Sequence, residues 1–530
     1  MKLLKAAFLR KKSPSDLVAE AEGGEHGPMH KHLGAFDLIA FGVGATIGSG
    51  IFALTGTAAA GQVSLHHDWW STPLTNFLLG STLGREGAGP AIVISFILAA
   101  MACGLAALCY AELASMIPVS GSAYTFAYAS LGEVIAWIIG WDLILEYAVG
   151  NVAVAVSWSD HFLHLVHGIT GHGLPLWLTA DTTTALSRIA DRASPQNALY
   201  SSFDLPQLFG HPFAVNLPAL LIVAAVTWVL VVGIKESARA NSIAVAVKVL
   251  VVLFFIIYGA TLVKPENWVP FAPNGLSGIM GGAAIVFFSF IGFDAVSSTA
   301  EETKNPQKDM PIGMIGSLLI CTFLYAAVSL VLTGIMPYQK YANDAAPVAT
   351  AMAQGGNAWA YLIVTIGALA GMTSVLLVFQ LGQPRIFMAM ARDRLLPAFF
   401  AKLHPHYRTP FIPTILTGLL VGVSSLLIDI GQAAELTNIG TLAAFIIVCA
   451  GVILLRKTEP DVHRPFKCPL VPLVPALGIA SCFLLMLSLP VITWIRFVAW
   501  MALGFAIYFL YGFRKTTQAA NAKMMLEDNS

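Results

Sequence analysis

The chain has 530 residues, of which 57% are hydrophobic and only 11% are charged, whereas ordinary soluble domains carry roughly 25% charged residues. Its formal net charge is zero, so it offers no basic surface for nucleic acid. Apolar windows of about 20 residues, the length that crosses a bilayer core, recur along the whole chain. The composition therefore excludes a soluble globular protein and indicates an all-α polytopic membrane protein.

The N-terminal segment is basic, then acidic and glycine-containing. It lacks the apolar core and small-residue cleavage site of a signal peptide. Residues 1–33 are therefore predicted to form a cytoplasmic tail.

Hydropathy predicts twelve transmembrane helices, named span one to span twelve below. The predicted ranges are 36–60, 90–116, 131–165, 216–235, 241–263, 278–299, 312–335, 358–384, 411–428, 434–455, 472–489 and 494–513. Two polar or mixed segments separate spans: the first insert, residues 61–89, and the second insert, residues 168–213.

The lysines and arginines predict the orientation, because cytoplasmic loops of membrane proteins are enriched in them. With both termini in the cytoplasm, 22 of the 29 lie in inside segments, six lie outside and Lys248 lies within span five. We therefore expect a multi-pass protein of the cell membrane, with a second cytoplasmic tail at residues 514–530 and both inserts on the extracytoplasmic side.

Spans one and six share an unusual pattern at their middles. Span one contains "GATIGSGIF" at residues 44–52, and span six contains "FFSFIGFDAVSS" at residues 287–298. Each interior glycine costs a helix about 1 kcal/mol relative to alanine. Glycine-interrupted segments that recur five spans apart indicate inverted five-helix repeats, with a substrate site where the breaks meet. The repeats would be residues 34–263 and 264–455, followed by two further spans in residues 456–513. The alternative is that the small residues only allow helices to pack closely.

A broken helix exposes N–H groups at the start of one half and carbonyl groups at the end of the other. The N–H groups favour an anion such as a carboxylate, and the carbonyls favour an ammonium. The natural donors lie from Thr46 to Gly50, and the natural acceptors lie from Phe288 to Ile291. Two facing breaks could therefore bind both ends of a zwitterion.

Several motifs occur in the order of one known family, among them "GATIGSGIF", "AALCYAELASMIPVSGSAYTFAY", "GIKESARANSIAVAVK", "FFSFIGFDAVSSTAEETKNPQKDMPIGMIGSLL" and "RIFMAMARDRLLP". On these motifs the chain resembles the amino acid–polyamine–organocation superfamily, in its cationic amino acid transporter branch, as a bacterial-type amino acid permease. The resemblance implies the leucine-transporter-like 5+5 fold, with helices 1 and 6 broken at the membrane midplane. It also implies secondary active transport of amino acids by alternating access.

The resemblance implies specific substrate contacts beside Thr46. They are the backbone amides of Ile47, Gly48, Ser49 and Gly50 for the carboxylate, the carbonyls of Phe288, Ser289 and Ile291 for the amine, and Met372 of span eight for the side chain. A methionine fills space and offers no charge to a cationic side chain. This favours a small neutral, alanine-like L-amino acid as the substrate, and a cationic amino acid, for which the branch is named, is the alternative.

Lys248 is an ionisable residue inside a predicted span, which makes it a functional candidate. It could titrate and couple transport to protons, or its ammonium could snorkel to the cytoplasmic interface. In proton-coupled members of the superfamily, a lysine in this span resembles a tethered cation at the position where sodium-coupled members bind their ion. We expect proton coupling through Lys248.

Several carboxylates also fall within predicted spans. Glu146 and Asp142 lie four residues apart in span three, on one helical face. Glu146 could line the substrate path or a proton route, or it could be structural, as we expect for Asp142. Asp294 is expected to cap the half-helix after the break in span six. Glu112 lies near a cytoplasmic end, where solvated surface charge is the expected state and a gate of ion pairs is the alternative.

The sequence lacks a phosphate-binding loop, an HExxH motif and a nucleophile elbow, so we predict a gradient-driven carrier and not an enzyme. No cofactor is expected. His161, His164 and His167 share a helical spacing but no further ligands complete a metal site, so no metal is expected either. The expected partners are an amino acid, the proton and the lipid bilayer. A sodium-coupled carrier and a non-transporting amino acid sensor are the alternatives.

Overall fold

We describe a computed structural model of the chain. It describes residue 31 and residues 33–62, 69–78, 85–119, 122–190, 195–232, 238–342, 344, 346–407 and 409–518. Most of the predicted N-terminal tail, the end of the C-terminal tail and part of the connection between spans four and five lie outside these residues.

A helical segment lies at each of the twelve predicted span positions. The α-helices there are Ala35–Thr46 and Thr55–Ala60, Ile92–Met116, Glu133–Ile144 and Gly150–Thr170, Leu217–Val232, Ala238–Ala260, Gly275–Val286, Pro306–Ile335, Ala358–Arg392, Phe411–Leu427, Ile430–Thr458, Leu473–Leu487 and Val491–Ile507. Short π-helical segments continue three of them, at Gly50–Leu54, Leu145–Val149 and Tyr508–Gly512. The prediction of a mostly helical polytopic protein is confirmed.

Length and composition qualify seven helices of the described residues as membrane-spanning, or eight if the bent pair in span one is a single span. Three further apolar helices, at the positions of spans four, nine and eleven, have only 10–17 residues, and so does Val245–Ala260, the part of the span-five helix whose side chains the structure describes. The count of twelve crossings therefore stays a prediction.

The connections contain short elements that hydropathy does not predict. The further α-helices are Leu74–Leu78, Ser122–Ser130, Thr182–Ala190 and Pro347–Gln354. Three pairs of short strands occur: Gly61–Gln62 antiparallel to Arg85–Glu86, Leu174–Pro175 parallel to Tyr200–Ser202, and Gln207–Leu208 antiparallel to His211–Pro212. The first of these pairs joins the two ends of the first insert.

Span three lies at the centre of the helix bundle and span twelve at its edge. In the most apolar window of span three 89% of the residues are buried, against 22% in span twelve. Span three packs against span eight, and span seven packs against span two and against the first half of span one. This arrangement surrounds the middles of spans one and six with protein, which broken backbone in a membrane requires.

The second insert has a small hydrophobic cluster of its own, although its sequence is polar or mixed. The buried members are Leu163, Leu176, Ala180, Ala185, Tyr200 and Ala214. Leu163 belongs to span three, so the cluster fixes the insert against the end of that helix.

Candidate functional site

Span one is interrupted in the middle of its glycine-rich motif. The helix from Ala35 ends at Thr46, Ile47 has extended backbone, and the next helical segment begins at Gly50. The two halves are bent by 41°. The amide of Ile47, expected to bind the substrate carboxylate, donates to the Val43 carbonyl at 2.9 Å in this structure. The first-turn N–H groups of the segment from Gly50 have no partner within their own helix, as at any helix start.

Span six is interrupted at the corresponding place. Its helix gives way to a 3-10 turn at Phe287–Phe290, then Ile291 has extended backbone and Gly292 has a φ of +117°. A second 3-10 segment begins at Asp294. Only glycine adopts this φ without strain. The carbonyl of Phe288 accepts a hydrogen bond from the Ile291 N–H at 3.2 Å, which uses one of its two lone pairs.

The two interruptions touch each other. A Cβ atom on Gly50 would lie 2.4 Å from Cα of Ser289, and one on Gly292 would lie 2.8 Å from the Ala45 carbonyl oxygen. Any side chain at either glycine would therefore push the two spans apart. The glycines that the sequence places at these positions are required for the close approach.

Two serine hydroxyls lie buried where the breaks meet. Ser49 is 0% exposed and Ser289 is 1% exposed. Neither Oγ atom has a hydrogen-bond partner among the described residues. A buried polar atom without a partner is costly, and such atoms are expected where a bound ligand completes the hydrogen bonds.

Thr46 and Met372 flank these breaks, and both are buried. The carbonyl of Thr46 accepts from the Tyr325 hydroxyl at 2.9 Å, and its own hydroxyl donates to the Gly42 carbonyl at 2.7 Å. Met372 accepts at its sulfur from the Ser157 hydroxyl at 3.1 Å, so spans three and eight meet there. Tyr325 is a residue that sequence reasoning missed, because nothing in span seven distinguishes it from a packing tyrosine.

Lys248 is 1% exposed, so its ammonium does not reach the surface of the protein. Its Nζ donates to the Gly44 carbonyl at 2.7 Å, just before the first half of span one ends. The contact joins span five to the broken segment of span one, where the resemblance placed a tethered cation.

A group of carboxylates lies behind the break in span six. Glu146 is 2% exposed, accepts from the Thr441 hydroxyl at 3.1 Å and lies beside Asp294. Asp294 accepts from the Gly292 N–H at 3.2 Å, so it bonds the broken backbone that precedes it. Both oxygens of Asp142 are buried without a hydrogen-bond partner among the described residues.

Asn438 of span ten is a further polar residue that sequence reasoning missed. Its Nδ2 donates to the carbonyls of Ala284 at 2.7 Å and Ile285 at 3.2 Å, at the end of the helix that precedes the break. An asparagine inside an apolar span was a usable signal, because such groups need partners within the protein.

The expectation that Glu112 is a solvated surface charge is wrong. Its side chain is 1% exposed, accepts from Arg456 at 2.7 and 2.8 Å, and forms an ion pair with Arg464, whose Nε lies 3.2 Å away. It also accepts from the backbone N–H of Cys468 at 2.7 Å. Arg456 lies in span ten and Arg464 follows it, so the charged partners of Glu112 come from a part of the chain far from it in sequence.

A cavity of about 600 Å³, named the insert cavity, lies between the two inserts and the ends of several spans. Its lining includes Thr57, Arg85, Val156, Asp160, Asp181, Arg188, Asp344, Asp429, Glu435 and Arg496. Arg85 donates to Glu435 at 2.7 Å, and Thr493 donates to the other carboxylate oxygen at 3.0 Å. Burial raises the pKa of Asp429 to about 6, and the charges of Asp181 and Glu435 add to that rise.

The comparisons with known proteins match nearly the whole chain. The family model described as "Amino acid permease" matches residues 33–510. The chain is 46% identical to the branched-chain amino acid permease BcaP of Bacillus subtilis, over 96% of this chain and 98% of that protein. It is 43% identical to the methylthioribose transporter of Bacillus subtilis, over 96% and 98% of the two chains. It is 38% identical to the vacuolar cationic amino acid transporter 4 of Arabidopsis thaliana, over 86% and 68%. These relatives are permeases and transporters, not enzymes, and the chain belongs to the amino acid permease family.

Proposed function

We propose that the chain is a proton-coupled secondary active transporter that moves a small neutral L-amino acid across the cell membrane by alternating access. The observation that carries the proposal is the direct contact of the breaks in spans one and six, beside two buried serine hydroxyls for which the described residues provide no partner. Discontinuous helices that meet at the midplane are the characteristic substrate site of carriers with inverted repeats.

The carboxylate of the substrate would bind at the start of the second half of span one. The amides of Gly48, Ser49 and Gly50 lie there, and the positive end of the helix dipole favours an anion. The Ser49 hydroxyl can donate to the same carboxylate. The amide of Ile47 becomes available only if its bond to Val43 opens when substrate binds.

The ammonium of the substrate would bind the carbonyls of Phe288, Ser289 and Ile291. The backbone is extended at Ile291, so these carbonyls are not all used within a helix. The Ser289 hydroxyl can accept from the ammonium as well. The two breaks then hold opposite ends of one zwitterion.

The side chain of the substrate would point toward Met372. This residue and Ser157 form a neutral surface, which supports a neutral substrate over a cationic one. Relatives with similar identity carry the names of a branched-chain amino acid permease and a methylthioribose transporter, so substrate choice within the family varies. Glu146 would lie behind this site and hold the broken segment of span six through Asp294.

Lys248 would couple the site to protons. Its ammonium binds the Gly44 carbonyl, so losing the proton weakens a charge-assisted bond next to the break in span one. The orientation of the first half of span one would then depend on whether Lys248 is protonated. The proposal includes twelve spans, two five-helix repeats at residues 34–263 and 264–455, and both termini in the cytoplasm.

Uptake by proteoliposomes under an imposed pH gradient tests this function. With one proton per substrate, an interior alkaline by one pH unit supports about tenfold accumulation. A sensor would give no uptake, and a sodium-coupled carrier would not respond to the pH step. Thermal stabilisation across the amino acids identifies the substrate first, since a ligand of the folded state raises apparent stability.

The substitution Lys248→Met tests the coupling residue. We expect the variant to bind substrate and exchange it, but to lose pH-driven accumulation. Lys264→Met is the matched control, because Lys264 is exposed after span five and carries the same charge. Undiminished accumulation by Lys248→Met would remove this lysine from the mechanism.

A further inference from the structure

The insert cavity has the size and composition of a ligand site. Its volume of about 600 Å³ lies within the range of roughly 300–1,000 Å³ typical of small-molecule sites. Its walls come from both inserts, from spans one, three, ten and twelve, and from the connection between spans seven and eight. The transport mechanism proposed above uses none of the polar residues that line the insert cavity.

The charges of the insert cavity favour a cation. Five carboxylates line it, on Asp160, Asp181, Asp344, Asp429 and Glu435, against three guanidinium groups, on Arg85, Arg188 and Arg496. The carboxylates therefore outnumber the guanidinium groups by two. A cation therefore gains more from this cavity than a zwitterion without net charge does.

Two of the aspartates are held in place by backbone donors. Oδ1 of Asp181 accepts from the Thr183 N–H at 2.9 Å, and Oδ1 of Asp429 accepts from the Gln432 N–H at 2.9 Å. Both bonds lie at the starts of helices, where they fix the carboxylate and the helix together. The negative charges of the cavity are thus preorganised for a ligand.

The insert cavity lies close to the proposed substrate site but does not include it. Val156 and Asp160 line the cavity, whereas Ser157 between them bonds Met372. Asp160 lies three residues beyond Ser157 in the helix, so the two are separated by about 4.5 Å along the helix axis. Thr57, which also lines the cavity, lies seven residues beyond Gly50, about 10 Å along the helix. The cavity therefore lies on the side of the breaks to which the inserts belong.

We propose that the insert cavity is a second binding site, which takes an amino acid with a cationic side chain, such as lysine, and does not transport it. The side-chain ammonium would lie among the aspartates, and the guanidinium groups of Arg188 and Arg496 would hold the α-carboxylate. One consequence rests on the proposed function: a cation in the cavity obstructs the path to the breaks and inhibits uptake of the neutral substrate.

Calorimetric titration of the purified full chain in lipid nanodiscs with L-lysine tests the binding itself, without any need for transport. Asp181→Asn and Asp429→Asn each remove one charge and keep a residue that caps helices well. We expect each to weaken lysine binding about threefold to tenfold. Asp204→Asn is the matched control, since Asp204 is an exposed residue of the same insert and does not line the cavity. It should leave the Kd unchanged.

Two analogues separate the parts of the ligand. Norleucine resembles lysine without the ammonium and should bind far more weakly. Cadaverine lacks the carboxylate that the guanidinium groups are proposed to hold, so it should bind more weakly than lysine. Equal or tighter binding of cadaverine would overturn the proposal that the site takes an amino acid. Equal affinity for norleucine and lysine would overturn the charge argument.

A final experiment distinguishes the insert cavity from the proposed substrate site at the breaks. Gly50→Ala obstructs the breaks and should leave lysine binding intact. An excess of L-alanine added to the wild-type protein should also leave lysine binding intact. This measurement tests the same point if the Gly50→Ala variant does not fold. Displacement of lysine by L-alanine, or a lysine Kd that is unchanged in both aspartate variants, would overturn the second site. If the wild-type protein binds lysine as expected but shows no pH-driven uptake, only the proposed function is overturned.

Discussion

Removal of Glu112 should destabilise the protein strongly, because this carboxylate holds three groups at once. The side chain of Arg456 and the N–H of Cys468 donate to it at 2.7–2.8 Å, and the Arg464 guanidinium forms an ion pair with it at 3.2 Å. Breaking a buried ion pair by removing one partner costs about 3–5 kcal/mol. Arg464 is 4% exposed but also donates to several backbone carbonyls, and Arg456 is 28% exposed and can be hydrated. We therefore expect Glu112→Ala to cost about 3 kcal/mol, at the lower end of that range.

Reversible unfolding in mixed micelles, with increasing denaturing detergent, measures this change. Glu112→Gln should cost less than Glu112→Ala, because the amide oxygen still accepts one hydrogen bond. Glu459→Ala is the matched control, since Glu459 has an exposed side chain near the same end of span ten. We expect the control to change the free energy of unfolding by less than about 0.5 kcal/mol.

The refuting result is a free energy of unfolding for Glu112→Ala that equals that of Glu459→Ala. The three contacts to the carboxylate would then contribute nothing to stability. A large loss in Glu112→Ala together with an equally large loss in Glu112→Gln would show that the charge, and not the acceptor for Cys468, is the essential property.

Gly50→Ala should lower substrate affinity about tenfold or more, because the added Cβ overlaps Ser289; unchanged thermal stabilisation by substrate would contradict this. Met372→Ser should admit longer side chains such as arginine in competition uptake, and an unaltered substrate range would place Met372 outside the pocket. Arg85→Met should cost about 3 kcal/mol of stability, since it leaves the buried Glu435 without its cation. Equal thermal unfolding of wild type and Arg85→Met would contradict that estimate.

The positions of the long helices were predictable because uninterrupted apolar sequence has few other uses. Their ends were less so. Span seven begins at Pro306 and span eight ends at Arg392, several residues beyond their apolar parts. The polar residues of these turns include exposed ones such as Lys308 and Arg392, so hydropathy does not mark where the helices end. The close approach of spans one and six had a usable signal too, since glycine inside an apolar span marks backbone that approaches another chain segment closely.

The contacts of individual polar groups were predictable only in part. The pairing of Glu112 with Arg456 joins residues 344 positions apart, and no local spacing indicates it. The hydrogen bond from Ile47 to Val43 shows a second, local limit. The sequence predicts which amides lie near a break, but it does not predict which of them still bond to the preceding helical turn. The lining of the insert cavity brings together the two inserts, which hydropathy identified only as polar or mixed segments between spans.

The packing of the second insert onto Leu163 has a practical consequence for measuring motion. A small body with its own apolar centre, packed onto the end of span three through Leu163, is expected to follow that end when the helix moves. A fluorescent label on an exposed residue of this insert, such as Ser201, would report the tilt of span three during a transport cycle. Ser201 does not line the insert cavity, so the label would leave that site unaltered.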